Sequence, residues 1–228
     1  MADKLILPQN TRLMGVFLGF VGGSLDVFCH IQYHSLVATQ TGNILLLISD
    51  WHDSNVINTM LRFCSIIFFS LGFLFALHMK EYRKTAYWRV KMLLPLFIGT
   101  LILPFFSRFP LLEVPCIAFG TGMMMLTFTG SLIEDHPYVI FMTSGNYRKM
   151  LTALYRIARR EGNIQEYRRQ ALNYGIVVGS FIVGAISLAV LMHFLHEWSI
   201  WIVSLNLFLI MSYYIARVKQ LDLQDENI

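Results

Sequence analysis

The chain has 228 residues, 56% of them hydrophobic and only 14% charged, where a soluble domain carries about 25% charged. Its formal net charge is +4, and its three cysteines, Cys29, Cys64 and Cys116, stand far apart in apolar runs. The composition excludes a leftover soluble domain, and the odd, scattered cysteines argue against a disulfide framework or a C-x-x-C zinc site.

The first apolar run, Leu13–Tyr33, follows Lys4 and Arg12 in the manner of a signal peptide. It is longer than an h-region, lacks an A-x-A site and precedes further spans, so it reads as a retained signal anchor. At 1.5 Å per residue, about 20 residues cross the roughly 30 Å hydrocarbon core. Asp26 lies two-thirds of the way along this run, where an ionisable side chain costs at least about 2.5–3.5 kcal/mol. It is therefore a functional candidate. Asp26, His30 and His34 fall at i, i+4 and i+8, within one narrow helical arc. They can form a proton relay, or serve only as structural hydrogen-bonding groups. A metal site is disfavoured, because it needs three or four convergent ligands.

Thr41-Gly42-Asn43 precedes Ile44–Ser49, which is too short to span. One reading is a half-helix beginning inside the protein, its N–H groups aimed at an anion or polar group. The other is an ordinary capped helix at the outer surface. Five more spans follow at Ile57–Met79, Met92–Phe106, Val114–Leu132, Leu172–His193 and Trp198–Ala216. The expected fold is thus an all-α, polytopic membrane bundle of six transmembrane helices. Arg62, near the start of span two, can pair with Asp26 if the helices adjoin, or snorkel to the headgroups. Trp88, Trp198 and Trp201 lie at span ends, as interfacial anchors do.

With the N-terminus in the cytoplasm, every Lys and Arg except Arg62 and Arg108 falls on the cytoplasmic side. The groups are Lys4 and Arg12; Lys80, Arg83, Lys84, Arg89 and Lys91; the basic fourth connection; and Arg217 with Lys219. The positive-inside rule then places both termini in the cytoplasm. The positive charge reports topology and contact with anionic lipid, not nucleic acid. The outer face gathers Asp50, His52, Asp53, His193, His196 and Glu197. The fourth connection, residues 147–170, is basic and amphipathic and should lie on the cytoplasmic leaflet as an anchor or a switch. Gly175-x-x-x-Gly179 and Ser180-x-x-x-Gly184 give span five a small-residue face, for packing within the chain or for a homodimer seam.

An internal repeat is also legible. Phe20-x-x-Gly23-x-x-Asp26 precedes Thr41-Gly42-Asn43, and Phe119-x-x-Gly122-x-x-Met125 precedes Ser144-Gly145-Asn146. Gly23 to Gly42 is 19 residues and Gly122 to Gly145 is 23; a turn at Glu134-Asp135-His136-Pro137 in the second half absorbs the difference. Three spans per half is odd, so the halves, residues 1–112 and 113–228, would face opposite ways, as inverted repeats do.

These motifs resemble the YoaK family of small bacterial inner-membrane proteins. Its F-x-x-G-x-x-D is matched by Phe20, Gly23 and Asp26, and its T-G-N by Thr41, Gly42 and Asn43. In the second half Gly122 and Gly145 are kept, but Met124 and Met125 stand where Gln and Asn are expected, and Ser144 where Thr is. The resemblance implies the six-span fold and the inner membrane, without a reaction. Taken together, the expectation is a small secondary transporter. Its substrate or coupling candidates are Asp26, His30, His34, Thr41, Gly42, Asn43, Gly23, Gly122, Ser144, Gly145 and Asn146. The alternatives are a non-catalytic lipid-binding or assembly protein and a membrane-embedded enzyme. No H-E-x-x-H, G-x-S-x-G or phosphate cradle is present, so neither catalysis nor a cofactor is expected.

Overall fold

The computed structural model describes residues 6–50, 55–106, 109–141 and 143–226; Lys4, His52, Asp53 and Arg108 lie outside the described residues. Local chemistry sets the helix ends. Thr11 accepts from Met14 N–H, and His34 closes the helix with φ 51°, so α1 runs Arg12–Tyr33. A short α2 follows at Gln40–Ser49, then α3 at Val56–Glu81, capped by the Asn55 side chain. Next come α4 at Trp88–Ile102, with a 3-10 turn over Leu103–Phe105, and α5 at Pro110–Thr127. The second half continues with α6 at Thr143–Arg159, α7 at Ile164–Leu195 and α8 at Trp201–Gln220.

The protein is an all-α, multi-pass membrane protein. Five helical stretches are long and apolar enough to cross a membrane: Arg12–Tyr33, Val56–Glu81, Trp88–Phe105, Pro110–Thr127 and Ile164–Gln220. The last is 57 residues long and covers both the fifth and sixth expected spans. It is broken by a 3-10 turn over His196–Ile200, where His196 has φ 49°. Apolar side chains such as Phe63, Leu74, Val183, Ile186, Leu205 and Phe208 stay exposed on these helices, as a lipid-facing surface requires.

Packing runs crosswise between the two halves. Helix α1 lies along α7, and α3 lies along α5. Both crossings use glycine to bring backbones together. A Cβ on Gly23 would stand 2.0 Å from the Phe181 carbonyl oxygen, and one on Gly184 would stand 2.2 Å from that of Phe20. In the other crossing the distances are 2.1 Å from Gly122 to Phe69 and 2.0 Å from Gly72 to Phe119. Helices α4 and α8 meet through Ser204 Oγ, which donates to Thr100 Oγ1 at 2.9 Å.

The fourth expected span runs to Leu132, but α5 ends at Thr127. From 128 to 141 the chain is irregular, with Phe128, Ile133, Ile140 and Phe141 all buried. Its apolar character records burial against the helices, not helical conformation. Within it, β1 (Leu132–Ile133) and β2 (His136–Pro137) form a hairpin whose turn residues, Glu134 and Asp135, both have positive φ. A two-residue type I′-like turn has this shape, and with β2 it covers Glu134–Pro137, the stretch expected from the sequence to be a turn.

Of the small-residue face on span five, Ser180 and Gly184 meet α1, whereas a Cβ on Gly179 would enter open space. Helix α6, the first part of the basic segment, packs on α7.

Candidate functional site

Asp26 lies seven residues before the end of α1, about 10 Å down the helix at 1.5 Å per residue. Beyond Tyr33 the chain folds back by that depth, so that residues 37–39 meet the carboxylate. Asp26 Oδ1 accepts from the backbone N–H of Val37 (3.0 Å), Ala38 (2.7 Å) and Thr39 (3.4 Å). Its Oδ2 accepts from the Thr39 hydroxyl at 2.6 Å. All four partners donate, which suits an ionised carboxylate, an acceptor-only group. Residues 37–39 lead straight into α2, so the acidic group held at the start of that helix is the protein's own Asp26.

Asn43 fixes the same loop from the other side. Its Oδ1 accepts from Leu36 N–H at 2.8 Å and its Nδ2 donates to Leu36 C=O at 2.6 Å. The second half repeats this arrangement. Asn146 Oδ1 accepts from Val139 N–H at 3.1 Å, and its Nδ2 donates to Val139 C=O at 2.7 Å. In both cases a fully buried asparagine clamps the peptide seven residues earlier. The first clamp is at the Tyr33 end of α1. The second loop belongs to the Arg12 end, where Leu132 N–H donates to Asn10 Oδ1 and Arg12 pairs with Glu134 at 2.9 Å.

The remaining expected residues are spread out. His30 and His34 are exposed, and the described bonds of Asp26 go to the 37–39 loop instead. Thr41 is exposed and Gly42 faces the Leu36 side chain. Ser144 is exposed, and a Cβ on Gly145 would meet nothing within 4 Å. Gly23 and Gly122 serve the helix crossings. Arg62 takes neither of its expected roles: it is buried, pairs with Asp50 at 2.6 Å, and donates to the carbonyls of His34 and Leu46. The Ser49 hydroxyl and Arg62 hold the Asp50 carboxyl below its ordinary value.

Two features escape the sequence pattern. Thr39 supplies the side-chain bond to Asp26, although Thr41 in the tripeptide is the more conspicuous residue. Glu113, only 4% exposed in the first turn of α5, accepts from the Tyr33 hydroxyl through Oε2. It adjoins the apolar run that begins at Val114. Testing the flanks of each run for an acid, as well as its interior, would have found it.

A family model described as "Protein of unknown function (DUF1275)" matches residues 14–213. No curated protein and no solved structure matches the chain.

Proposed function

As the chain belongs to the DUF1275 family, we propose that it is a six-span secondary transporter for a small solute, built from two inverted repeats. The 57-residue stretch would measure about 85 Å if straight, far beyond one bilayer, so α7 and α8 count as two crossings. The halves then correspond as α1 to α5, α2 to α6, α3 to α7 and α4 to α8. The paired glycine crossings exchange under this correspondence. The single observation that carries the reading is the doubled asparagine clamp, Asn43 on Leu36 and Asn146 on Val139, at opposite ends of α1. The distribution of Lys and Arg supports cytoplasmic termini and the inner membrane.

The mechanism follows from the crosswise packing. The α1–α7 and α3–α5 pairs are each locked by glycine, whereas α1 and α5 touch only sparsely. Rocking one pair against the other opens one end and closes the other. Asp26 acts as the latch at the Tyr33 end. A proton on its carboxyl turns the Thr39-facing oxygen into a donor and removes the charge that strengthens the bonds from Val37 and Ala38, so the hold on the 37–39 loop weakens enough to let it move.

A second reading, the non-catalytic lipid-binding or assembly protein, is favoured by the complete occupation of Asp26's oxygens. One experiment separates the two. The native cysteines are replaced by serine, a single cysteine is introduced as Ala38→Cys or Ile140→Cys, and labelling by a membrane-impermeant maleimide is followed in liposomes. Transport predicts opposite changes at the two positions on acidification, and the same changes at neutral pH in Asp26→Asn. Constant labelling at both positions in every condition refutes it in favour of the second reading.

A further inference from the structure

Near the Tyr33 end of the bundle, Glu113 lies at the edge of a cavity of about 240 Å³ between α4 and α5, lined by Gly99, Ile102, Leu103, Leu112 and Cys116. The lining is otherwise apolar, and Leu112 and Ile102 are exposed at its rim, so the cavity opens toward lipid. Tyr33 occupies Glu113 Oε2. Oε1 is buried and has no partner in hydrogen-bond geometry among the described residues; the Phe109 backbone N–H acts on the carboxylate as a weaker donor and leaves Oε1 short of a full bond. The group acting electrostatically on both Tyr33 and Glu113 from the α7–α8 connection is another acid, Glu197. Arg62, a basic residue at this end, is engaged by Asp50 and two carbonyls. A buried carboxylate oxygen without a donor, in a field made more negative by a neighbour, calls for a cation that carries N–H.

We infer that this pocket binds a primary ammonium carried on an apolar body. An ammonium is a compact cation with three donors, and one of them completes Oε1. The cavity equals about eight water volumes at roughly 30 Å³ each, so it takes the head and a short apolar segment, with the remainder lying in the membrane. The same chemistry is offered by a free alkylamine and by the ethanolamine headgroup of a phospholipid. The inference does not depend on transport.

The full chain in phosphatidylcholine nanodiscs is titrated with n-octylammonium, with octyltrimethylammonium and octanol as controls, and its Tm is read. A rise with octylammonium, small or absent with both controls, is expected. Glu113→Gln should weaken it about thirtyfold or more, the loss typical when one partner of a buried charged pair is removed. Gly99→Leu fills the cavity from α4 without touching Glu113; a Cβ there meets nothing within 4 Å, so this variant still decides the matter if Glu113→Gln does not fold. Phosphatidylethanolamine retained by the purified wild type and lost from Gly99→Leu, read by native mass spectrometry, identifies a lipid source. Equal retention by both, with Glu113-dependent octylammonium binding, identifies a free amine. Equal Tm shifts with all three probes, or wild-type binding by Gly99→Leu, would overturn the inference.

Discussion

Replacing Asp26 separates its charge from its hydrogen-bonding role. Asp26→Asn keeps the Oδ1-type acceptor that holds Val37 and Ala38, and the Thr39 hydroxyl can turn to accept from the new amide. Asp26→Ala removes every acceptor. The hydroxyl can find another partner by rotation, but the two well-formed backbone donors, at 3.0 and 2.7 Å, cannot. At about 1–3 kcal/mol per buried donor left unpaired, Ala should be about 2–6 kcal/mol less stable than Asn. The cost of a buried charge is removed equally in both variants, so it cancels from their difference. Reversible unfolding in mixed micelles, followed by far-UV circular dichroism, measures this. Equal stability of Asn and Ala would refute the assignment of Asp26 as the loop's anchor.

Asn43→Ala and Asn146→Ala should each lower stability by about 1–3 kcal/mol in the same assay, and a loss confined to one would break their equivalence. Gly23→Ala and Gly122→Ala place a methyl about 2 Å from a carbonyl oxygen that cannot move alone, and should cost about 3 kcal/mol or more. Gly145→Ala, with nothing within 4 Å, should instead stabilise α6 by about 0.5–1 kcal/mol. For Asp50 the folded carboxyl lies below its ordinary value, so its bonds to Ser49 and Arg62 contribute stability above the unfolded pKa of about 3.9 and lose it as pH falls lower. Asp50→Asn should therefore be less stable than wild type at neutral pH and indistinguishable from it under strongly acid conditions, as thermal melts across pH would show.

Apolar runs long enough to cross a bilayer are legible because lipid demands them, and each long helix falls within or close to such a run. Hydropathy could not separate the buried loop after Thr127 from a helix, because residues such as Phe128 and Ile133 are apolar for either purpose. The T-G-N tripeptide adjoins the loop that holds Asp26, but its three residues contribute unequally there. Asn43 does the clamping, while Thr41 faces outward and the useful threonine is Thr39. That distinction needs the fold-back of the chain, since Asp26 and Thr39 lie on opposite sides of a helix end. The equivalence of Asn43 and Asn146 was readable from sequence as a repeated tripeptide. Its content, a bond to the peptide seven residues earlier, was not.

The two buried acids at this end of the bundle are solved in opposite ways, and the difference assigns their roles. Asp26 gathers four donors from one loop, and its removal disturbs the path of the chain. Glu113 has a tyrosine on one oxygen, no hydrogen-bond partner on the other among the described residues, and lines an apolar cavity. A carboxylate that only needed to be tolerated could be relieved by polar neighbours, as Asp26 is. Placing Glu113 in an apolar recess, with Glu197 nearby, keeps its remaining hydrogen-bonding capacity for something that enters from the membrane. If both acids were structural, Glu113→Gln would behave like Asp26→Asn and leave the response to amines unchanged. A loss of that response without a loss of fold would separate the latch from the binding group.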